Sequence, residues 1–267
     1  MSEFAAKYGP WALVTGGSDG IGLAFAHKLA DRGLKLILIG RSQDKLDAAA
    51  GAVGERGVEC VTASVDIGLP GATARIVEAI GEREVGLYVA NAGADPNGAP
   101  FLDREIAAWN SLVTMNVNSK LQLSHHLGRQ MRERGRGGMI LVNSGACYGG
   151  LTGLATYCAS KGFVLNFAEA LWAELRHHGI DVLTMVLGQT DTPSYRKYLA
   201  EHGQPLPEDW AQPDDVAETA LAQLPHGPIY NWGQANDVAG YAPNSPDDRR
   251  ARILYIEQMT ANPARPA

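Results

Sequence analysis

Tyr157 and Lys161 are the residues of this chain whose types and spacing best suit chemistry. They lie four residues apart, and residues at i and i+4 share one face of a helix. An ammonium group beside a phenol favours the phenolate. Ser144 lies thirteen residues before the tyrosine, and its hydroxyl could hold a carbonyl oxygen. The pattern indicates a proton-transfer site, although most Tyr and Lys pairs at this spacing only pack.

A glycine-rich turn near the N-terminus suggests a partner for this site. The apolar run Trp11–Thr15 has the length and flanks of a buried strand, and a helical pattern follows the turn and stops at Gly33. Glycines let the backbone approach a pyrophosphate closely, and a helix N-terminus offers free N–H groups. The order of strand, glycines and helix therefore predicts a dinucleotide-binding loop, with an unliganded tight turn as the alternative.

The end of the second predicted strand, residues 34–39, indicates which dinucleotide the chain binds. In a βαβ nucleotide unit this point faces the adenosine ribose, where an acid binds the 2′-hydroxyl and an arginine accommodates a 2′-phosphate. Here no acid is present, and Gly40 is followed by Arg41 and Ser42. A guanidinium group can bind a phosphate through two N–H groups. The sequence favours NADP(H) over NAD(H), with a plain surface arginine as the alternative.

Polar residues follow other predicted strands. Asp66 ends the strand 58–65 and could contact adenine or cap the helix that begins near Gly71. Asn91 and Gly93 follow the strand 85–90 and suit either a turn beside a cofactor or a plain turn. Asn116 lies within a helical pattern, where asparagine is mildly unfavourable. Asn116 is either an exposed residue without a role or the site of a functional kink in the helix.

Strands and helices alternate along the chain, and further strands are predicted at residues 138–143, 180–187 and 228–232. The prediction is an α/β fold: a single Rossmann-type, doubly wound domain over residues 1–267, with a mostly parallel sheet of about seven strands and helices on both faces. Residues 194–212 contain aromatic side chains and form either a substrate lid or a pinned surface loop. Residues 233–267 form an atypical C-terminal extension with one helical run, 247–259.

Composition excludes several classes of protein. The net charge of −6 argues against a nucleic-acid-binding surface. The three cysteines have neither metal-ligand spacing nor a disulfide framework, which fits a reducing compartment. No apolar run approaches the roughly eighteen residues that span a bilayer, and the N-terminus lacks the features of a signal peptide. We therefore expect a cytoplasmic protein without a membrane span.

Together, these motifs resemble the classical short-chain dehydrogenase/reductase family over nearly the whole chain. TGGSDGIG at residues 15–22 matches the TGxxxGxG pattern of the family, and NAG, the helical asparagine, the serine and YxxxK follow in order and spacing. The segment WALVTGGSDGIG…LILIGRSQDKL is similar to the branch of hydroxysteroid dehydrogenases and 3-oxoacyl reductases. One departure is Leu187, which replaces the family's proline before Gly188.

The resemblance implies a role for each matching residue. Tyr157 would be the acid/base, Lys161 would bind the nicotinamide ribose and favour the phenolate, and Ser144 would orient the substrate oxygen. Asn116 would support a water that links Lys161 to solvent. The other implied contacts bind NADP(H): Gly16, Ser18, Gly20, Ile21, Arg41, Ser42, Asp66, Asn91, Gly93, Thr190 and Thr192. The family also implies a homodimer or homotetramer that pairs through the helices of Asn116 and Tyr157.

The functional expectation is an NADPH-dependent oxidoreductase that reversibly reduces a ketone to a secondary alcohol, with the proton from Tyr157. The substrate would be a small apolar carbonyl or alcohol compound. The side chains that suggest an apolar pocket are Tyr148, Leu151, Leu154, Tyr195, Tyr198 and Trp210. One alternative is an NAD(H)-using epimerase or dehydratase, which the missing acid at Gly40 opposes. The other is a non-catalytic NADP(H)-binding protein, which the intact Ser144, Tyr157 and Lys161 oppose.

Overall fold

The strands form a single parallel sheet in the computed structural model, which describes residues 2–232. Seven strands lie in the order β3-β2-β1-β4-β5-β6-β7, and each neighbouring pair is parallel. Their bounds are β1 Trp11–Thr15, β2 Lys35–Gly40, β3 Cys60–Ser64, β4 Val85–Ala90, β5 Gly137–Ser144, β6 Ile180–Leu187 and β7 Ile229–Trp232. The strand order changes direction between β1 and β4, and open α/β sheets bind ligands at such a point.

Helices connect the strands and cover both faces of the sheet. Their bounds are α1 Glu3–Tyr8, α2 Gly20–Asp31, α3 Gln43–Gly54, α4 Ala72–Ile80, α5 Ile106–Val113, α6 Ser119–Arg134, α7 Ala155–Leu175, α8 Pro193–Glu201 and α9 Pro213–Gln223. One apolar cluster packs α2, α3 and α9 on one face of the sheet. A second cluster packs α4, α6 and α7 on the other face. The predicted doubly wound α/β fold is therefore confirmed.

Strand β1 shows why these residues form a central strand. All five of its residues are buried, as expected for a parallel sheet that is covered on both faces. Successive side chains point to opposite faces, so Val14 packs in one cluster and Leu13 in the other. The continuous apolar run therefore places the following glycine turn at the carboxyl edge of the sheet.

The third strand and the segment after β6 differ from the sequence prediction. Strand β3 covers residues 60–64 rather than 58–65. Residues 194–212, where the apolar periodicity fades, contain α8 because Thr192 and Pro193 form a good helix start. The Thr192 hydroxyl oxygen accepts a hydrogen bond from the Tyr195 N–H at 3.2 Å, and proline suits the first helical position. The chain then returns to the sheet edge through a bridge between Thr190 and Ala211.

The described part of the chain ends with β7, and α7 is its longest helix. Helix α7 ends at Leu175, and a 3-10 turn covers Arg176–His178. Within residues 2–232, none of the helices is both long and apolar enough to cross a membrane. The predicted C-terminal extension, 233–267, lies outside the described residues.

Candidate active site

The candidate site lies where the carboxyl ends of β1, β4, β5 and β6 meet. Thr15 at the end of β1 pairs with Ala90 at the end of β4. Ser144 at the end of β5 pairs with Leu187 at the end of β6. The loops that leave these strands therefore begin side by side. Leu187, the residue that departs from the family pattern, is 5% exposed and packs in the core.

The glycines of the turn after β1 have little room for a side chain. Gly16 has a φ of +68°, which favours glycine. A Cβ atom on Gly22 would lie 1.9 Å from the Gly16 carbonyl oxygen. The amide Nδ2 of Asn91 donates hydrogen bonds to the carbonyl oxygens of Thr15 at 3.1 Å and Gly16 at 3.2 Å. Asn91 thus joins the turn after β4 to the glycine turn, and the glycines allow these segments to pack closely.

The glycine turn also contacts the loop after β6. A Cβ atom on Gly20, whose φ is +50°, would lie 3.1 Å from the Thr192 methyl group. Thr192 serves as the N-cap of α8. Thr190 is buried, and its hydroxyl donates to the Gly188 carbonyl oxygen at 3.5 Å. The glycine turn and the loop that carries Thr190 and Thr192 are therefore neighbours.

The start of α2 is capped from within the glycine turn. Asp19 is its N-cap and accepts a hydrogen bond from the Gly20 N–H at 2.8 Å. The Asp19 carboxylate also pairs with Lys45 of α3 at 2.5 Å. Ile21 is partly buried and packs against the core cluster beneath α2. These contacts fix the direction in which the first N–H groups of α2 point.

The end of β2 presents an arginine to solvent. Arg41 is exposed, and the salt bridges found within the described part of the chain do not include its guanidinium. Ser42 is the N-cap of α3, and its hydroxyl oxygen accepts from the Lys45 N–H at 3.4 Å. A Cβ atom on Gly40 would lie 2.9 Å from the Ser18 hydroxyl oxygen. An acidic side chain at residue 40 would therefore displace Ser18.

Asp66 does not cap the helix that follows it. Its carboxylate accepts from the Gly68 N–H at 2.9 Å, which is the local turn that aspartate commonly forms two residues ahead. The N-cap of α4 is Gly71, which makes no side-chain capping bond. The capping alternative is therefore wrong, and the adenine contact remains a prediction.

Tyr157 and Lys161 share one face of α7, as their spacing predicts. The Nζ atom of Lys161 lies 5.4 Å from the centroid of the Tyr157 ring. Lys161 is only 3% exposed, and its Nζ donates to the Val142 carbonyl oxygen at 3.5 Å. Ser144 ends β5, and its hydroxyl oxygen accepts from the Ala146 N–H at 3.3 Å. A phenol, a buried ammonium and a serine hydroxyl thus occur at one edge of the sheet.

Asn116 marks a distortion rather than an exposed passenger. Residues 114–118 form a π-helical turn between α5 and α6, and such turns often occur at functional sites. Asn116 is 0% exposed, and its Nδ2 donates to the Ala94 carbonyl oxygen at 2.8 Å. Its Oδ1 is buried without a hydrogen-bond partner among the described residues. A Cβ atom on Gly93 would lie 2.4 Å from this Oδ1. Asn116 is therefore not an exposed residue without a role, and a function for the distorted turn stays a prediction.

Lys120 is a site residue that sequence reasoning missed. It is 1% exposed, and its Nζ donates to the Ala92 carbonyl oxygen at 2.6 Å. Burial, and then the positive charge of Lys161, hold the pKa of the Lys120 amine well below its ordinary value. The available signal was its position four residues after Asn116, on the same helical face.

The segment after β6 carries an aromatic cluster. The rings of Tyr195 and Tyr198 stack with centroids 6.0 Å apart, and the Tyr195 ring lies 6.4 Å from that of Trp210. The Arg196 guanidinium lies 4.8 Å from the Trp210 ring and pairs with Asp191 at 2.5 Å. Tyr148 is buried, and its hydroxyl donates to the Asn231 side-chain oxygen at 2.7 Å.

Known proteins share this architecture. A family model described as short chain dehydrogenase matches residues 10–202. The 7β-hydroxysteroid dehydrogenase of Clostridium sardiniense is 29% identical over 96% of this chain and 98% of its own length. A solved structure of a 7β-hydroxysteroid dehydrogenase has a TM-score of 0.86 at 28% identity, covering 97% of this chain and 100% of its own.

Two further proteins extend the comparison. The very-long-chain 3-oxoacyl-CoA reductase of Macaca fascicularis is 35% identical over 67% of this chain, which spans 58% of that protein. A structure from Beutenbergia cavernae, a putative NAD(P)-dependent gluconate 5-dehydrogenase with bound NADP, has a TM-score of 0.74 at 26% identity over 84% of this chain and 95% of its own. The hydroxysteroid and oxoacyl enzymes are the two groups that the sequence motifs resemble.

Proposed function

Because the chain belongs to the short-chain dehydrogenase family, we propose that it is an NADP(H)-dependent oxidoreductase that interconverts a ketone and a secondary alcohol. The observation that carries the proposal is the pairing of Tyr157 with the buried Lys161, whose Nζ lies 5.4 Å from the tyrosine ring. Both residues lie on α7, and Ser144 precedes this helix at the carboxyl edge of the sheet. A nearby cation favours the phenolate form of a catalytic tyrosine. Open α/β sheets bind their ligands at the carboxyl edge, where this tyrosine lies.

The residues around the glycine turn fit a dinucleotide phosphate. A side chain on Gly22 would collide with the Gly16 carbonyl, so glycine is required at this position, and α2 starts beside the turn. Arg41 would bind the 2′-phosphate of NADP(H), because its guanidinium is exposed at the end of β2. The structural neighbour with bound NADP supports this choice. Bound NADP(H) would supply or accept the hydride.

The protein's own residues would manage the proton and the oxygen atom. In ketone reduction, the Tyr157 hydroxyl would donate its proton to the carbonyl oxygen, while the Ser144 hydroxyl would donate a hydrogen bond to the same atom. The Lys161 ammonium would stabilise the phenolate that remains. The reverse transfers would serve alcohol oxidation, so the same residues support both directions.

The proposed substrate class is a hydroxysteroid or the corresponding ketone. Two relatives that match almost the whole chain are 7β-hydroxysteroid dehydrogenases. The aromatic cluster of Tyr195, Tyr198 and Trp210 would provide apolar contacts for such a ligand. Residues 194–212 would then act as the substrate lid, anchored at the Thr190–Ala211 bridge.

We also propose a homo-oligomer that pairs through α6 and α7. Leu121 on α6 and Phe163 on α7 are large apolar residues with 42% and 36% exposure. Phe163 stacks on Phe167 at 5.3 Å, which extends the apolar surface along α7. Light scattering after gel filtration should give at least a dimer, and the double substitution of Leu121→Arg and Phe163→Arg should give a monomer. A wild-type monomer would contradict the proposal.

The activity test is a spectrophotometric assay of NADPH and NADH consumption. The panel contains oxosteroids, 3-oxoacyl thioesters, small aromatic ketones and small polar ketones, and the reverse assay uses the matching alcohols. We expect NADPH consumption with an oxosteroid and not with small polar ketones. Cofactor binding without turnover of any ketone or alcohol would favour a non-catalytic NADP(H)-binding protein. NADH-dependent epimerisation would favour an NAD(H)-using epimerase.

A further inference from the structure

Arg196 joins two parts of the segment after β6 and has no part in the proposed proton transfer. It is the fourth residue of α8. Its guanidinium group donates two hydrogen bonds to the Asp191 carboxylate, from Nε to Oδ1 at 2.5 Å and from Nη2 to Oδ2 at 2.6 Å. The guanidinium carbon also lies 4.8 Å from the centroid of the Trp210 ring. A planar guanidinium suits both contacts, because it can pair with a carboxylate through two N–H groups and stack on an aromatic face.

Asp191 and Trp210 belong to opposite limbs of the proposed lid. The outgoing limb, residues 188–192, leaves β6 and leads into α8, and the returning limb, residues 203–212, leads into α9. The Asp191 N–H donates to the Ala211 carbonyl oxygen at 2.9 Å, which joins the two limbs through their backbones. The guanidinium group adds a side-chain link between the same limbs. Because all of these groups belong to the chain itself, the link needs no ligand.

The same link sets the spacing of the aromatic cluster. Tyr195 lies next to Arg196 on α8, and its ring lies 6.4 Å from the Trp210 ring and 6.0 Å from the Tyr198 ring. The Gln189 Nε2 donates to the Tyr195 hydroxyl oxygen at 3.0 Å, which ties this ring to the outgoing limb. The relative positions of the three rings therefore depend on how the two limbs are joined.

The outgoing limb also borders the glycine turn of the proposed cofactor site. A Cβ atom on Gly20 would lie 3.1 Å from the methyl group of Thr192, the residue after Asp191. The Asp191 side chain is 15% exposed, whereas that of Arg196 is 50% exposed. An ion pair that is partly shielded from water is screened less by salt than an exposed one. The link is therefore anchored beside the cofactor site at its better shielded end.

We propose that Arg196 is a positioning residue that gives the enzyme a preference for bulky apolar ketones. The inference rests on the proposed function. Arg196 acts through Asp191 and Trp210, which it holds together, and it moves neither a proton nor a hydride. With the link intact, the aromatic lid is already in position when a large substrate binds, so the substrate does not have to order it. Small ketones do not extend to the lid and gain nothing from it.

The competing role is a surface ion pair that affects stability alone. Arg196→Met keeps an apolar stem and removes both guanidinium contacts. The matched control is Lys197→Met, because Lys197 is the next residue of α8 and its side chain is 75% exposed. Under the proposal, Arg196→Met raises KM for the best oxosteroid by about tenfold or more, since ordering three aromatic side chains now opposes binding. Its kcat, its KM for small aromatic ketones and its NADPH dissociation constant stay within about twofold of wild type.

Hydrogen exchange followed by NMR tests the link in cofactor-free protein, independently of activity. The Asp191 and Ala211 amides report it, because they donate to the Ala211 and Gln189 carbonyl oxygens of the opposite limb at 2.9 Å and 3.0 Å. Both amides should exchange about tenfold faster or more in Arg196→Met than in wild type, and at the wild-type rate in Lys197→Met.

Arg196→Met with wild-type exchange at these amides, or with an unchanged KM for the oxosteroid, would overturn the proposal. Wild-type amides that exchange as fast as those of an unstructured chain would also overturn it, so the test does not depend on how well the variant folds. If wild type turns over no ketone or alcohol while the exchange rates still differ between wild type and Arg196→Met, the link is supported and the proposed function fails instead.

Discussion

The side-chain amide of Asn91 donates a hydrogen bond to the Gly16 carbonyl oxygen at 3.2 Å, and this contact joins the glycine turn after β1 to the turn after β4. The same amide nitrogen would lie 2.7 Å from a Cβ atom on Gly22. Three backbone segments thus meet around one side chain. The shape of the proposed cofactor site depends on this packing.

Gly22→Ala should therefore damage the fold and the cofactor site together. The new methyl group would lie 1.9 Å from the Gly16 carbonyl oxygen, so the turn must move, at a cost of about 2 kcal/mol or more in stability. The control is Gly51→Ala, because no atom lies within 4 Å of a Cβ there. Gly51 lies in the interior of α3, where alanine should raise the free energy of unfolding by about 0.5–1 kcal/mol. Urea unfolding and NADPH titration measure both effects, and an unchanged Gly22→Ala protein would refute the prediction.

Arg41→Ala should weaken NADPH binding and leave NADH binding almost unchanged. A charge-assisted hydrogen bond contributes about 1.5–3 kcal/mol, which corresponds to about tenfold or more in affinity. Fluorescence titration with each cofactor measures the ratio. Arg104→Ala is the control, because Arg104 is an exposed arginine that lies next to none of the predicted cofactor residues along the chain. Equal losses for NADPH and NADH would show that Arg41 does not bind the 2′-phosphate.

Tyr157→Phe should lower kcat by about 10³-fold, since it removes the proton donor. The ring remains beside Lys161, so the NADPH dissociation constant should change little. Initial rates with the best ketone of the panel, together with the cofactor titration, provide the measurement. Tyr230→Phe, in β7, is the matched loss of a hydroxyl and should retain activity. Normal turnover by Tyr157→Phe would remove the basis of the proposed function.

Lys120→Met should change how stability depends on pH. Below about pH 10.4 an unfolded lysine is protonated, whereas burial lowers the pKa of folded Lys120, so unfolding takes up a proton. The unfolding free energy of wild type relative to the variant should therefore rise with pH by about 1.4 kcal/mol per unit. The rise begins at the lowered pKa and levels off above about pH 10.4.

Urea unfolding at a series of pH values measures this slope. Lys197→Met is the control, because the Lys197 side chain is 75% exposed. The difference in unfolding free energy between wild type and this variant should not change with pH. A flat difference for Lys120→Met as well would mean that the buried amine is not held uncharged.

Local features of the chain were predictable because they depend on near neighbours. The apolar run Trp11–Thr15 is β1 with the predicted bounds, since a strand buried on both faces needs continuous apolar residues. Tyr157 and Lys161 share a face because helical spacing alone places them there. The family resemblance is likewise confirmed, since its motifs are short runs in a fixed order. Helix α8 was missed because its start depends on the cap at Thr192 rather than on apolar periodicity.

Sequence alone therefore determined the order of the seven strands along the chain, the glycine turn and the pairing of phenol with ammonium. Only the tertiary structure decided which polar groups lose water. Asp66 turned to its own backbone at Gly68, Asn116 entered a buried π-helical turn, and Lys120 became an enclosed amine beside Lys161. A lysine in a helical pattern looks the same in sequence whether it faces water or the core. Its environment is set by the elements that pack over it, and those come from distant parts of the chain.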